Sequence, residues 1–262
     1  MDISQLFSVK DKVVVVTGGS RGIGEMIATG FVQSGAKVYI SSRSAKDCDE
    51  TSEKLNKLGP GKCIPLPADL QKTEDIKKLV AEIQKREKHI DVLVNNAGAT
   101  WGATIDDYPE AAFNKVMNLN VKSIFLLTQA CLPLLEAKAT ADVPSRVINI
   151  GSINGINIPS HETYAYSASK AAVHQLTKHL AGKLGPRNIL VNAIAPGSFQ
   201  SKMMKETLEK FGDIIVATVP VGRIGSPEDI AGTALYLSSR AGQYTNGAVI
   251  VVDGGAIVSS KM

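Results

Sequence analysis

Cysteine is scarce in this sequence of 262 residues, which has three, at Cys48, Cys63 and Cys131. The three are far apart, odd in number and without the spacing of metal ligands. This usage predicts reduced thiols in an intracellular protein rather than a disulfide framework, and it predicts no bound metal.

Long apolar runs are also missing. No stretch is long enough to cross a bilayer, and residues 1–10 lack the pattern of a signal peptide, so the sequence predicts a cytoplasmic protein with no membrane partner. The final Ser260-Lys261-Met262 differs from the peroxisomal address Ser-Lys-Leu only in its last residue. A peroxisomal location is therefore the alternative if the source is a eukaryote, and an accidental tail is the other interpretation.

No cluster of basic residues is dense enough to predict a nucleic-acid partner. Lysine and arginine number 29 against 25 acidic residues, and the net charge is +4. The pairs Lys77-Lys78 and Lys85-Arg86 lie near acidic neighbours, which is typical of solvated helix faces. The small positive excess suits an anionic ligand without identifying one.

What the sequence does contain is an alternation of short apolar runs with longer amphipathic stretches. Hydrophobic residues make up 44% of the chain, enough for one large core. The apolar runs predict strands at residues 13–16, 37–41, 63–66, 92–94, 146–150, 190–194 and 249–252. The amphipathic stretches predict helices at residues 24–34, 45–58, 73–88, 110–138 with a bend near Pro133, and 165–184.

This alternation predicts an α/β fold: a Rossmann-like, doubly wound parallel sheet of about seven strands with helices on both faces, in a single domain over residues 1–262. Residues 195–226 follow a strand end, where sheets of this kind bind ligands, and they hold scattered apolar side chains without a strand pattern. We expect them to form a lid over a substrate rather than a second domain.

A glycine-rich turn follows the first predicted strand. Gly18, Gly22 and Gly24 stand in a G-x-x-x-G-x-G spacing. Such glycines permit a tight turn and a close approach of backbone amides to a pyrophosphate, and the helix that follows adds a partial positive charge at its N-terminus. An ordinary strand-to-helix turn is the alternative, but the strand before and the helix after favour a dinucleotide site.

The residues at the end of the second predicted strand indicate whether the site binds NAD(H) or NADP(H). An NAD site usually places an acid there to bind the ribose 2′-hydroxyl, whereas this chain continues Ser41-Ser42-Arg43. Arg43, together with Arg21 in the glycine turn, can bind a 2′-phosphate through charge-assisted hydrogen bonds. The sequence therefore predicts NADP(H), unless either arginine merely faces solvent.

Tyr166 and Lys170 are four residues apart on a predicted helix, so they share one face. A nearby cation stabilises a phenolate, so Lys170 is expected to lower the tyrosine pKa toward the range useful for proton exchange at neutral pH. This is the chemistry needed to reduce a carbonyl or oxidise an alcohol. A core tyrosine with a solvated lysine is the alternative.

Taken together, these motifs resemble the short-chain dehydrogenase/reductase family over nearly the whole chain. The resemblance is carried, in one order, by Thr17–Gly24, Asn95-Asn96-Ala97-Gly98, Ser152, Tyr166, Lys170, Pro196-Gly197 and Val252-Asp253-Gly254-Gly255. Within the family, three stretches resemble NADPH-dependent 3-oxoacyl reductases of the rhamnolipid-synthesis type: Val13–Gly24, Asn95–Gly102 and Arg146–Gly155.

The resemblance implies roles for four catalytic residues. Tyr166 would act as the acid or base that protonates the developing alkoxide, and Ser152 would hydrogen-bond the substrate carbonyl. Lys170 would bind the nicotinamide ribose and depress the tyrosine pKa. Asn120 would hold a water that links Lys170 to solvent, with Asn118 as the competing candidate.

The resemblance also implies a set of cofactor-binding residues. Asp69 would sit by the adenine, Asn95, Ala97 and Gly98 would line the adenosine side, and the segment after Pro196 would cover the nicotinamide carboxamide. The full set is Gly18, Ser20, Arg21, Gly22, Ile23, Gly24, Ser42, Arg43, Asp69, Leu70, Asn95, Ala97, Gly98, Tyr166, Lys170, Pro196, Gly197, Phe199 and Ser201.

Two positions depart from the family pattern. Ser152 and Tyr166 are 14 positions apart (166 − 152), slightly more than is usual, and Tyr164 is nearer the usual distance. Tyr164 lacks a lysine partner, however, because Ala168 stands four residues after it. Ser201 stands where a threonine is common, so it keeps the hydroxyl and loses the methyl.

The expected activity is the NADPH-dependent reduction of a ketone to a secondary alcohol, most simply of a 3-oxoacyl thioester or a related β-keto compound. One alternative is a broad carbonyl reductase or a secondary-alcohol or polyol dehydrogenase. Another is a dinucleotide-binding protein without catalysis. The resemblance further implies a homotetramer built from the helices at 110–138 and 165–184 and the C-terminal strand, although the apolar pattern there fits an internal core equally well.

Overall fold

The computed structural model describes residues 2–201 and 204–259. Over these residues the chain forms seven strands, β1 to β7, at Val13–Thr17, Lys37–Ser41, Lys62–Pro65, Val92–Asn95, Ser145–Ile150, Ile189–Pro196 and Val249–Val252. The α-helices α1 to α9 cover Ile3–Leu6, Gly22–Gln33, Ala45–Leu55, Thr73–Arg86, Glu110–Met117, Ser123–Glu136, Tyr164–Leu184, Lys205–Ala217 and Pro227–Ser238.

The strands form one parallel sheet in the order β3-β2-β1-β4-β5-β6-β7. The chain moves outward from β1 to β3 and then returns to place β4 on the other side of β1. In a doubly wound sheet, ligands bind at this reversal, in the crevice outside the carboxyl ends of the strands. The predicted α/β fold with about seven strands is confirmed.

Strand β1 shows how one apolar run serves two cores. Val14 and Val16 join a cluster with α2 and α9, whereas Val13 and Val15 join a cluster with α4, α6 and α7. Successive side chains on a strand point to opposite faces, so an unbroken valine run is buried on both sides. Burying each of these side chains contributes about 1.5 to 3 kcal/mol, and together they fix the sheet between its two helical layers.

The long helix expected over residues 110–138 is divided at a different place. Helix α5 ends at Met117, a π-helical segment covers Asn118–Lys122, and α6 then continues past Pro133 to Glu136. A π segment widens the helix by one residue per turn and often marks a functional site. Here it carries Asn120, which lies fully buried.

The segment expected to form a lid has more regular structure than the sequence indicated. Strand β6 runs through Pro196, and helix α8 occupies Lys205–Ala217 with a kink at Phe211, where φ is −134° and ψ is 16°. A bridge between Phe199 and Gly225 joins the two ends of the segment. Helix α8 was not among the predicted helices, although Leu208, Phe211 and Ile215 stand at helical spacing.

Three further observations bear on the sequence-based expectations. No helix in the described part of the chain is long and apolar enough to span a bilayer. Cys48, Cys63 and Cys131 are free and buried. Among residues 2–201 and 204–259, no three histidine, cysteine or acidic side chains form a group that could hold a metal. The C-terminal Ser260-Lys261-Met262 lies outside the described residues.

Candidate active site

The glycine-rich loop lies between β1 and α2, at the reversal of the sheet, and an asparagine holds it from the neighbouring strand. Asn96 Nδ2 donates to the carbonyl oxygens of Thr17 at 2.8 Å and Gly18 at 3.2 Å. Gly18 has a φ of +63°, and a Cβ there would lie 2.7 Å from Asn96 Nδ2, so the position requires glycine. Asn96 was given no role from the sequence, although its place directly after β4, the neighbour of β1, is the signal for one.

Helix α2 begins where this loop ends. Arg21 is the N-cap residue and makes no side-chain capping bond, so the N–H groups of the first turn receive no cap from it. The Ser20 carbonyl accepts from Thr51 Oγ1 at 2.9 Å, which ties the loop to α3. This turn contains the predicted residues Gly18, Ser20, Arg21, Gly22, Ile23 and Gly24.

The end of β2 lies beside the glycine loop, because the Gly19 N–H donates to the Ser41 carbonyl at 3.3 Å. Arg21 and Arg43 are both exposed here. Arg21 Nη1 lies 3.8 Å from Asp47 Oδ2, an acid on the first turn of α3 whose closeness to Arg21 was not predicted from the sequence. Two cations and one partly exposed carboxylate therefore surround this corner of the crevice.

The loop after β3 adjoins the loop after β2. The Ala68 N–H donates to the Ser42 carbonyl at 2.9 Å, which places Asp69 and Leu70 at the same edge of the sheet. Leu70 is buried, and Asp69 Oδ1 accepts from the Gln71 N–H at 3.2 Å. The structure thus brings both predicted residues to the crevice, with Asp69 fixed by its own turn.

On the other side of the reversal, the structure brings Ser152, Tyr166 and Lys170 together. Ser152 follows β5 and shares a hydrogen bond with Tyr166, which lies on the first turn of α7. Lys170 is buried; its Nζ lies 5.5 Å from the centroid of the Tyr166 ring and donates to the Ile150 carbonyl at 2.7 Å. A serine hydroxyl, a phenol and an ammonium therefore meet at the carboxyl end of β5.

The electrostatics of this group differ from the sequence-based expectation. Burial raises the pKa of the Tyr166 hydroxyl, and the hydrogen bond with Ser152 only partly offsets it. Burial also lowers the pKa of Lys170 to about 8. The predicted lowering of the tyrosine pKa by Lys170 is therefore wrong for this structure, because burial disfavours a phenolate more strongly than its neighbours stabilise it.

The alternative tyrosine is placed elsewhere. Tyr164 is exposed, and its hydroxyl donates to Glu162 Oε1 at 3.1 Å. Its ring packs edge-to-face on Tyr108, with 5.6 Å between the centroids. The hydrogen bond to Ser152 and the contact with Lys170 belong to Tyr166, so the geometry favours Tyr166.

Comparisons with known proteins agree with this geometry. A family model described as Enoyl-(Acyl carrier protein) reductase matches residues 18–256. The chain is 44% identical, over 95% of its length and 97% of the relative, to a rhamnolipids biosynthesis 3-oxoacyl-[acyl-carrier-protein] reductase of Pseudomonas aeruginosa. It belongs to the short-chain dehydrogenase/reductase family.

Two further relatives show the range of this family. A solved structure described as the Pseudomonas aeruginosa RhlG/NADP active-site complex has a TM-score of 0.93 and 43% identity, covering 96% of this chain and 98% of that one. The 5-keto-D-gluconate 5-reductase of Escherichia coli (strain K12) is 35% identical over 98% of this chain and all of the relative. The resemblance to short-chain dehydrogenases/reductases drawn from the motifs is confirmed.

Asn120 and Asn118 are the two candidates for the asparagine that would hold a water beside Lys170 in this short-chain dehydrogenase/reductase. Their contacts distinguish them. Asn120 Nδ2 donates to the Ala99 carbonyl and to Ser169 Oγ, each at 2.9 Å, while its Oδ1 accepts from the Ala99 N–H at 2.8 Å. Asn118 points away and donates to the Gln71 carbonyl at 3.1 Å. Asn120 therefore joins the π segment to α7 beside Lys170, whereas Asn118 joins it to the loop after β3.

Gly98 lies between Asn120 and Lys170. A Cβ at Gly98 would stand 3.3 Å from Asn120 Oδ1 and 3.8 Å from Lys170 Nζ. Ala97, beside it, donates from its N–H to Thr17 Oγ1 at 3.1 Å. The segment after β4 thus reaches from the glycine loop to the buried lysine.

Two predicted cofactor residues have side chains that turn away from the crevice. Asn95 is buried in the sheet, where its Nδ2 donates to Thr128 Oγ1 and Asn149 Oδ1. Phe199 packs in the core, and its ring fills the space next to Gly225. These residues can reach a ligand through their backbone alone, because their side chains serve the packing of the sheet and the lid segment.

The remaining predicted residues lie at the end of β6. Pro196 closes the strand, and the Gly197 N–H donates to the Val252 carbonyl at 2.9 Å, which ties the start of the lid segment to β7. Ser201 reaches the glycine loop: a Cβ on Gly22 would lie 3.2 Å from Ser201 Cβ. The segment after β6 therefore reaches from the carboxyl end of β6 to the start of α2.

Proposed function

We propose that this protein reduces a ketone to a secondary alcohol with NADPH. The observation that carries the proposal is the meeting of Ser152, Tyr166 and Lys170 at the carboxyl end of β5, on the same crevice as the glycine loop. The NADP complex of a relative with 43% identity over nearly the whole chain supports the choice of cofactor.

The residues at the sheet reversal fit a dinucleotide phosphate. Gly18 allows the loop to turn at a positive φ against Asn96 and Ala97, and the first turn of α2 offers N–H groups that Arg21 does not cap. Arg21 and Arg43 would hold a 2′-phosphate, because no acid stands at the end of β2 itself and the two cations outnumber the one nearby carboxylate, that of Asp47. Asp69 would lie by the adenine, and Lys170 would bind the nicotinamide ribose. When bound, NADPH supplies the hydride.

The chain's own side chains act on the carbonyl oxygen. As negative charge develops there, the hydroxyls of Ser152 and Tyr166 donate hydrogen bonds to it, which stabilises the transition state more than the ground state. Because burial raises the pKa of Tyr166, its phenol holds a proton at neutral pH and can give it to the alkoxide. Lys170 keeps a positive charge near the same group below a pH of about 8.

We propose a 3-oxoacyl thioester as the substrate. The 44% identity to a 3-oxoacyl reductase supports this class. The 35% identity to a 5-keto-D-gluconate reductase favours a sugar ketone as the second candidate, and the description of the family model favours an enoyl thioester as a third. Only the first two would use Tyr166 as a donor to a carbonyl oxygen that becomes an alcohol.

A substrate panel tests the proposal. Acetoacetyl-coenzyme A, 5-keto-D-gluconate and crotonoyl-coenzyme A would each be offered with NADPH and with NADH, and cofactor oxidation followed at 340 nm. We expect the highest kcat/KM for the acetoacetyl thioester with NADPH, and its loss in Tyr166→Phe. Turnover of the crotonoyl compound alone would overturn ketone reduction, and binding of NADPH without any turnover would point to a non-catalytic protein.

The proposed function also implies a domain organisation, a location in the cell and an oligomeric state. We infer that residues 1–262 act as a single domain whose segment 195–226 covers the substrate, and that the protein works in the cytoplasm. We also infer a homotetramer, because Phe113 on α5 and Phe125 on α6 remain 40% and 42% exposed on helices that would meet in such an assembly. Light scattering coupled to size-exclusion chromatography would give the mass.

A further inference from the structure

His174 lies on α7 four residues after Lys170 and eight after Tyr166, so the three share one face of the helix. It is 7% exposed, in contrast to His179, which lies on the same helix and is exposed to solvent. The proposed transfer of hydride and proton to a ketone does not use this buried histidine. Its contacts indicate a structural role beside Ser152.

The imidazole contacts the backbone of Ser152. The Ser152 N–H donates to His174 Nε2 over a long distance of 3.5 Å. A ring nitrogen that accepts a hydrogen bond carries no proton, so we assign the neutral tautomer with its hydrogen on Nδ1. Ser152 is also the N-cap of the short turn Ile153–Gly155, and its Oγ accepts from the Asn154 N–H at 3.1 Å.

The ring fits between the two ends of this turn. A Cβ placed on Gly151 would collide with His174 Nε2, and one placed on Gly155 would lie 2.9 Å from His174 Cε1. The backbone before and after Ser152 therefore rests directly on the imidazole, and no larger residue would leave room for it. The hydrogen bond and the close fit are independent signs that the ring shapes this loop.

The surroundings keep the ring neutral. Burial is the main cause that lowers the pKa of His174, to about 4, and the charges of Lys170 and Lys178 act in the same direction. A hydrogen bond with the Gly155 backbone opposes them. At neutral pH the nitrogen that faces Ser152 is therefore free to accept.

We propose that His174 is a positioning residue that holds the Ser152 loop in the conformation in which the serine hydroxyl meets Tyr166. The inference rests on the proposed ketone reduction. It assigns His174 no contact with substrate or cofactor: the imidazole acts on Ser152 alone, through the peptide backbone.

Two substitutions separate positioning from packing. His174→Leu keeps most of the volume and removes the acceptor, whereas His174→Gln can return an acceptor oxygen near the place of Nε2. His179→Leu, on the exposed side of the same helix, is the matched control. Ketone reduction, NADPH affinity by fluorescence titration and thermal unfolding would be measured for all three variants and the parent.

We expect His174→Leu to lower kcat by about 10- to 100-fold, because a displacement near 1 Å of a donor at the reacting oxygen has an effect of this size. NADPH affinity should change by less than about twofold, since no cofactor residue moves. His174→Gln should recover most of the lost kcat, and His179→Leu should match the parent. A folded His174→Leu with normal kcat, or a His174→Gln as impaired as His174→Leu, would overturn the proposal.

Amide hydrogen exchange distinguishes failure of this inference from failure of the proposed function. If the parent reduces no ketone, the activity assigned above is wrong, yet exchange still reports on the loop. We expect faster exchange at Ser152 to Gly155 in His174→Leu and parent-like exchange in His174→Gln. Unchanged exchange in a folded His174→Leu would show that the ring does not hold the loop.

Discussion

Lys170 lies over the ring of Tyr166, with 5.5 Å between its ammonium nitrogen and the ring centroid. Both groups are shifted by burial in opposite directions: the pKa of the phenol rises and that of the ammonium falls to about 8. At neutral pH the pair therefore holds both of its protons, which suits donation to an alkoxide.

Tyr166→Phe should remove the proton donor and lower kcat by about 100- to 10,000-fold, the range typical of a general acid. NADPH affinity should stay close to that of the parent, because the phenol is not needed to hold the phosphates. Tyr164→Phe is the matched control, since Tyr164 is exposed and bonded to Glu162. Near-normal steady-state turnover of Tyr166→Phe would refute the assignment.

Ketone reduction should decline as the pH rises through about 8, where Lys170 loses its charge. The sign follows from the group: a lysine is charged below its pKa, and the charged form is the one that would bind the ribose and assist the alkoxide. A profile of kcat/KM against pH reports on groups in the free enzyme and would show this limb. A profile that stays flat from neutral pH to well above pH 8 would contradict the role of Lys170.

Lys170→Met should unfold less readily than the parent at pH 7 while losing activity. The folded pKa of about 8 against 10.5 in an exposed lysine means that burying the cation opposes folding by up to about 3 kcal/mol. Loss of the hydrogen bond from Lys170 to the Ile150 carbonyl destabilises the variant by about 1 kcal/mol and so offsets part of this gain. The folded state binds fewer protons between those two pKa values, so the opposition is full below pH 8 and is relieved as the pH approaches 10.5.

Urea unfolding at pH 7 and near pH 10 would measure this difference. The stability advantage of Lys170→Met should shrink at the higher pH, and Lys178→Met, at an exposed site of the same helix, should show no such advantage. A Lys170→Met variant that is less stable than the parent at pH 7 would show that the buried ammonium is fully compensated.

Replacing Arg21 and Arg43 together with alanine should weaken NADPH binding by about 10- to 100-fold, or about 1.4 to 2.7 kcal/mol in total. Each charge-assisted bond contributes less than its usual value of about 1.5 to 3 kcal/mol here, because both side chains are exposed to solvent. NADH affinity should change little, because NADH lacks the 2′-phosphate. Lys46→Ala removes an exposed cation of α3 and is the control. Equal losses for the two cofactors in fluorescence titrations would exclude a 2′-phosphate contact.

Asn96→Ala should loosen the glycine loop. The change removes two donated bonds to Thr17 and Gly18 and leaves those carbonyls without their side-chain partner, which lowers the free energy of unfolding by about 1 to 3 kcal/mol. NADPH affinity should fall with it, whereas kcat at saturating NADPH should be retained. Parent-like affinity in a stable Asn96→Ala would show that the loop keeps its shape without this side chain.

The strands of the sheet were predictable from the sequence with small errors. The predicted bounds of residues 37–41 and 249–252 match the observed strands, and those of the other five strands differ by one or two residues at one or both ends. Strands buried on both faces appear as continuous apolar runs, so their signal is local and strong. The choice of Tyr166 over Tyr164 was equally local, because only Tyr166 has a lysine four residues later.

Other features depended on contacts between segments distant in sequence. The π-helical segment places Asn120 in contact with Ala99 and Ser169. No local sequence pattern around residue 118 predicts a π-helical turn there. Asn96 supports the glycine loop across about 80 residues of sequence. Phe199 looked like a cofactor residue by its position in a motif, but the fold places its side chain in the core.

The sequence by itself determined the succession of the seven strands and of helices α2 to α7 along the chain, the glycine turn and the tyrosine–lysine spacing, because each depends on residues close together in the chain. The tertiary structure alone decided the direction of the tyrosine pKa, the placement of His174 under the Ser152 loop and the partners of Asn95 and Asn96. Desolvation and hydrogen bonding depend on which surfaces the fold brings together, and composition and spacing do not contain that information.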